Sequence, residues 1–249
     1  MSRFLLNFFL LIAVAAPALA APVKTRNITF ASGPDTVVAY LATPQAPGKY
    51  PALVVIHDDW GLTDWVKEQT RRLAGEGYVA LAVDLYRGEV AHDPSLAYEL
   101  MVDVPPERAL RDLKSALDLL AARPDVNKDK LGAIGWSMGG KWAIELAIGD
   151  RRVAACVVNY GPLPEAPSEL EKIRVPVLGL FGGDDRTVTP DDVAAFSDRM
   201  DTAHKSVEVK VYRNAGHGFL DSENKLGYRE GAADDAWQRT ITFLNRYLK

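Results

Sequence analysis

The sequence predicts an α/β fold in which a mostly parallel central sheet carries helices on both faces. Three observations lead there. Short runs rich in Val, Ile and Leu, such as residues 52–56, read as strands covered on both sides. These runs alternate along the chain with stretches of helical periodicity, such as residues 107–122. A Gly-x-Ser-x-Gly turn, Gly135-Trp136-Ser137-Met138-Gly139, sits where one apolar run passes straight into a helical stretch.

Taken in order, residues 36–41 alternate in polarity and read as an early strand. Residues 52–56 form a continuous apolar run, as a central parallel strand requires. Residues 65–74 predict a helix ended by Gly75 and Gly77, and residues 78–83 the next strand. Leu110, Leu113, Leu117 and Leu120 share one face of a helix over residues 107–122, with Pro124 past its end. Residues 130–136 predict a strand that runs into Ser137, and residues 138–148 the helix after it. Strands follow at 153–158 and 175–181, a helix at 191–200, a strand at 206–212 and a closing amphipathic helix at 232–248. The proline-rich stretch 161–167 reads as a loop over the sheet. No repeat or low-complexity linker divides the chain, which predicts a single domain.

The 249 residues suffice for one domain with a substantial core. A net charge of −4, spread without long runs of one sign, argues against a nucleic-acid partner, which would require a basic stripe. Met1 to Arg3 carry positive charge, residues 4–16 are apolar, and Ala18-Leu19-Ala20 is a small-x-small cleavage site. The apolar run is shorter than the ~20 residues of a membrane-spanning helix. We expect a signal peptide over residues 1–20 and a mature domain over residues 21–249. That domain would be periplasmic or secreted, without stable membrane insertion. Cys156 is the single cysteine, so no internal disulfide is expected, and its apolar run marks it as a core residue.

The glycine-flanked serine has a physical logic. The turn is sharp enough to strain the serine backbone, and glycine at 135 and 139 lets strand and helix approach without a side-chain clash. The hydroxyl then projects beside the first amides of the helix, which favour developing negative charge. A serine needs a base oriented by a third group. His217, in Ala215-Gly216-His217-Gly218-Phe219, follows a strand and is free to reach a neighbouring loop. His57 precedes the serine, and His92 and His204 lie in polar surroundings. The acid falls in Gly182-Gly183-Asp184-Asp185, at the carboxyl edge of the sheet, and the pattern leaves Asp184 and Asp185 open.

These segments together resemble the dienelactone hydrolase family. So do Ile56-His57-Asp58-Asp59-Trp60-Gly61-Leu62, Gly75-Glu76-Gly77-Tyr78, Ala82-Val83-Asp84-Leu85-Tyr86 and Ala236-Trp237-Gln238-Arg239-Thr240. The likeness spans about residues 36–248. It implies an α/β-hydrolase fold and hydrolysis of a small-molecule carboxylic ester or lactone. It selects Asp185 as the acid beside Ser137 and His217, and the backbone amides of Met138 and Asp59 as the oxyanion hole. Family namesakes use cysteine where this chain has Ser137, and glutamate at the position of Asp58. They hold the substrate carboxylate with two arginines. Arg87, offset by one residue, could supply one; Asp221 stands near the other. Asp58 and Arg87 are therefore candidate substrate-binding residues. The four scattered histidines and one cysteine lack zinc-ligand spacing, and no glycine-rich phosphate loop occurs, so neither metal nor cofactor is expected. A thioesterase or peptidase on the same fold, and a non-catalytic binding protein, are the alternative readings.

Overall fold

The computed structural model describes residues 21–249; the signal-peptide reading of residues 1–20 lies outside the described residues. The elements run β1 (Val23–Ser32), β2 (Asp35–Pro44), β3 (Tyr50–Ile56), α1 (Asp64–Gly75), β4 (Val79–Val83), α2 (Pro94–Val102) and α3 (Pro106–Ala121). They continue β5 (Val126–Trp136), α4 (Met138–Gly149), β6 (Val153–Asn159), α5 (Pro167–Leu170), β7 (Val177–Gly182), α6 (Pro190–Thr202), β8 (Val207–Tyr212) and α7 (Glu230–Leu248).

One eight-stranded sheet has the order β1-β2-β4-β3-β5-β6-β7-β8. The β1–β2 and β2–β4 pairs are antiparallel, and every later pair is parallel. The apolar runs explain this order. Every residue of β4, and residues 52–56 of β3, are buried, which only a central strand covered on both sides can satisfy. α3 and α4 pack on each other and on one face of the sheet, while α1 and α7 cover the other. There the Arg72 guanidinium lies 3.9 Å from the Trp237 ring centre, joining α1 to α7.

Periodicity does not reveal β1 or α2. β1 is an edge strand with residues 24–27 exposed, and its inward face is only the short alternation Ile28, Phe30, Ser32, too brief to read as a strand. α2 buries only Ala97 and is defined instead by its cap: the Asp93 carboxylate accepts from the Ser95 and Leu96 N–H groups, with Pro94 beginning the first turn. Residues 161–166 form a loop as expected, but Pro167, read as part of it, begins the short α5.

The parallel strands place their carboxyl ends along one edge. Ser137 follows β5, Asp185 follows β7, His217 follows β8, and Asp58 and Asp59 follow β3. This is the edge at which open α/β sheets build sites.

Candidate active site

Ser137 has φ 48° and ψ −120°, a left-handed backbone strained for a residue with a side chain. A Cβ at position 135 would overlap the Gly139 carbonyl, and one at 139 would overlap the carbonyls of Ile56 and His57. Glycine at both positions is therefore a condition of the turn. Asn159, which the motif does not reveal, secures it from the neighbouring strand. Its backbone carbonyl accepts the Ser137 N–H at 3.0 Å, and its side-chain amide donates to the Gly135 carbonyl at 3.0 Å.

The structure brings together the three side chains the sequence singled out. His217 Nε2 lies 2.8 Å from Ser137 Oγ, and His217 Nδ1 lies 2.8 Å from Asp185 Oδ2. The other oxygen of Asp185 accepts the N–H groups of Thr187 (2.8 Å) and Val188 (3.1 Å). Burial alone would raise the carboxyl of Asp185. The bonds from His217 and these two amides outweigh it and hold the group below its ordinary range. His217 shows the converse balance: burial opposes its protonation, but the Asp185 contact and the charges of Asp185, Asp59 and Asp58 carry it above the usual imidazole value. Asp184, the competing acid, is not among the groups hydrogen-bonded to His217. Tyr160 packs edge-on against the imidazole, with centroids 5.1 Å apart.

The loop after β3 differs from the expectation. The Asp59 carboxylate faces the nucleophile: Oδ2 accepts from Ser137 Oγ at 3.0 Å and Oδ1 accepts the Met138 N–H at 3.2 Å. It thus covers the amide assigned to the oxyanion hole. The Asp59 N–H makes no hydrogen bond among the described residues. Asp58 does not bond to Ser137. It accepts the Trp60 N–H at 3.0 Å from a buried position. Burial pushes its carboxyl up to about 7, with the charges of Asp59 and Asp221 adding to the shift.

Arg87 does not line the cavity in front of Ser137, which corrects its assignment as a substrate ligand. Its backbone is left-handed (φ 59°), and its guanidinium turns back to the buried Asp112 at 2.5 Å and the Asp84 carbonyl at 3.3 Å. A fully buried carboxylate without that partner would be costly, so the arginine is committed to it. His57 is structural too: its Nδ1 bonds the Asp58 carbonyl (2.6 Å) and its Nε2 accepts the Leu85 N–H (3.1 Å). Burial lowers its basicity, consistent with a neutral ring.

A cavity of about 740 Å³ opens over Ser137 and His217, a size suited to a small organic molecule. Trp60, Tyr98, Met101 and Leu226 supply its apolar surface, while Asp58, Asp59, Asp221 and Glu223 supply acidic groups.

Comparison with known proteins identifies the family. A family model described as "Dienelactone hydrolase family" matches residues 37–248. A protein of Saccharolobus solfataricus assigned as a carboxymethylenebutenolidase is 31% identical, over 90% of this chain and 99% of its own length. Among solved structures, a Klebsiella pneumoniae protein assigned as a dienelactone hydrolase superposes with a TM-score of 0.83 at 28% identity, covering 91% of this chain and all of the other. A dienelactone hydrolase-like promiscuous phosphotriesterase from metagenomic libraries gives 0.81 at 27% identity, covering 91% and 99%.

Proposed function

The chain belongs to the dienelactone hydrolase family, and from that premise we propose that it hydrolyses carboxylic esters or lactones through an acyl-enzyme on Ser137. The observation that carries this reading is the unbroken line from Ser137 Oγ to His217 Nε2 and from His217 Nδ1 to Asp185 Oδ2, both contacts 2.8 Å, opening on the cavity. In this mechanism neutral His217 takes the Ser137 proton as Oγ attacks the carbonyl carbon. Asp185 fixes the tautomer with its proton on Nδ1 and stabilises the imidazolium. The carbonyl oxygen becomes an oxyanion between the N–H groups of Met138 and Asp59. His217 then protonates the leaving alkoxide, and water, deprotonated by the same imidazole, releases the acid. In comparable sites one oxyanion donor contributes about 10²–10³ in rate.

The Asp59 carboxylate constrains how the cycle begins. Ser137 has one hydroxyl hydrogen and two acceptors, His217 Nε2 and Asp59 Oδ2. A protonated imidazole donates from Nε2 to Oγ and leaves that hydrogen on Asp59, an arrangement that cannot attack. Loss of the imidazole proton, and withdrawal of the carboxylate from the Met138 N–H, are needed before a carbonyl can enter.

The test is covalent. A fluorophosphonate should label the purified protein at Ser137. Ser137→Ala should abolish both labelling and hydrolysis of p-nitrophenyl acetate, a loss of order 10⁶ in kcat. Labelling at another residue, or turnover retained in the variant, would refute the mechanism.

A further inference from the structure

The charge and shape of the cavity speak to the substrate. Among the described residues, four carboxyl groups line it, from Asp58, which burial raises to about 7, and from Asp59, Asp221 and Glu223, against one lysine, Lys225, and two imidazoles, His92 and His217. Arg87, the candidate cation for a substrate carboxylate, does not line the cavity and pairs with the buried Asp112. The carboxylates are not all solvated rim residues. Asp58 is buried, and Asp221 is half-buried, with burial raising its carboxyl. Asp221 Oδ1 accepts the Glu223 N–H at 2.8 Å. An incoming carboxylate would meet this array as a like charge in a partly desolvated space, where repulsion is weakly screened.

The cavity mouth favours the opposite charge. Tyr160 is buried in the cavity wall and its hydroxyl has no hydrogen-bond partner among the described residues, a polar atom that a bound ligand can pair with whatever its charge. The mouth also carries exposed aromatic rings, Trp60 and Tyr98, the latter 65% accessible. Aromatic faces beside carboxylates make a receptor for ammonium groups, since the ring quadrupole and the formal charges attract the same sign.

We propose that this hydrolase selects esters bearing a positively charged nitrogen, with Asp221 as the counter-ion and the Trp60 and Tyr98 rings as its aromatic wall. The proposal rests on the ester-hydrolase reading above and names the substrate class of the same site.

Two matched series of esters test it on the purified chain. One varies the alcohol of a butanoate: 2-(trimethylammonio)ethyl, its neutral isostere 3,3-dimethylbutyl, and an alcohol carrying a carboxylate. The other varies the acyl group of a p-nitrophenyl ester: 4-(trimethylammonio)butanoyl, neutral 5,5-dimethylhexanoyl, and the half-ester of pentanedioate. Dividing each kcat/KM by the ester's hydroxide-catalysed rate removes intrinsic reactivity. In at least one series the cationic ester should exceed the neutral one by about tenfold, the scale of a charge contact at a partly desolvated site, with the anionic ester below both. Added salt should narrow the gap. Asp221→Asn, whose amide oxygen can still accept the Glu223 N–H, should lower the cationic-to-neutral ratio about tenfold. Equal ratios in both series, preference for the anionic ester, or a ratio untouched by Asp221→Asn would each overturn the assignment. Fluorophosphonate titration of the same preparation separates the two levels. Labelling at Ser137 with turnover of the neutral ester but no charge preference defeats this inference alone. No labelling and no turnover defeats the mechanism beneath it.

Discussion

The turn after β7 and the loop after β3 each bring an aspartate to the Ser137–His217 contact, and they hold it in different ways. Asp185 is gripped by donors that the reaction never uses, the Thr187 and Val188 amides, and by His217 Nδ1. α6 begins just beyond, where Thr189 and Asp192 form a reciprocal capping box that fixes the turn. Asp59 is held in part by donors that the proposed reaction does need, the Ser137 hydroxyl and the Met138 amide. One carboxylate is fixed in place to orient the base. The other occupies the space where charge would develop, and must yield it. The same side chain is preorganisation in one loop and competition in the other, and the difference lies in whose hydrogen bonds it takes.

Asp185→Asn offers the sharpest contrast. Oδ1 faces two backbone N–H groups, so an amide there must point its oxygen at them and its NH₂ at His217. The imidazole would then accept at Nδ1 and carry its proton on Nε2, facing Ser137 with no free lone pair. We expect kcat for p-nitrophenyl acetate to fall by about 10⁴, as in comparable triads, with the fold intact. A loss of tenfold or less would mean that Asp185 does not set the tautomer, and the contrast between the two loops would break.

What the sequence makes legible follows the same division. The elbow was readable because backbone approach dictates glycine at 135 and 139, and chain order marks a serine and a later histidine. Asp185 was separable from Asp184 only through resemblance, since both sit in one turn and the distinction is a matter of side-chain direction. Asn159 was hidden because its clamp on Gly135 and Ser137 joins neighbouring strands through hydrogen bonds that leave no periodic signal. The loop after β3 misled in another way. Resemblance sends its backbone amide to the site, but no pattern in Asp58-Asp59 says which carboxylate turns toward the serine. Arg87 misled for the related reason that Asp112, its partner, lies 25 residues away in α3 and shows only as one more helical polar residue.

Asp59→Ala tests the other half of the comparison and should move activity in the opposite direction. It leaves the backbone N–H at 59 and frees that of Met138, so a substrate carbonyl no longer competes with a tethered carboxylate. We expect kcat/KM for a neutral ester to rise about two- to tenfold, the scale of one net hydrogen bond. The pH profile supplies the sign. His217 must be neutral to accept the Ser137 proton, and its raised pKa places the acid limb of kcat/KM above the ordinary imidazole range. The negative charge of Asp59 contributes to that elevation, so removing it should move the limb to lower pH. A limb that stays put or moves upward would show that Asp59 does not act on the base.

The smallest effect is expected from Tyr86, which ties the loop down. Its hydroxyl donates to the Asp59 carbonyl at 3.2 Å, and its ring packs edge-on against His57 with centroids 4.6 Å apart. Tyr86→Phe keeps the ring contact and removes a hydrogen bond whose net worth is about 0.5–1.5 kcal/mol. If Tyr86 acts by setting where the Asp59 carboxylate rests, the substitution should change kcat/KM a few-fold in the wild-type background and much less after Asp59→Ala. That is a coupling a double-mutant cycle measures directly. The same cycle run with Asn159→Ala should show no such coupling to Asp59, because Asn159 braces the turn from the opposite strand. Equal effects of Tyr86→Phe in both backgrounds would instead make the tyrosine a general brace of the β3 edge. The carboxylate in front of the serine would then be placed by its own bonds to Ser137 and Met138, and the loop after β3 would resemble the turn after β7 more than the geometry now suggests.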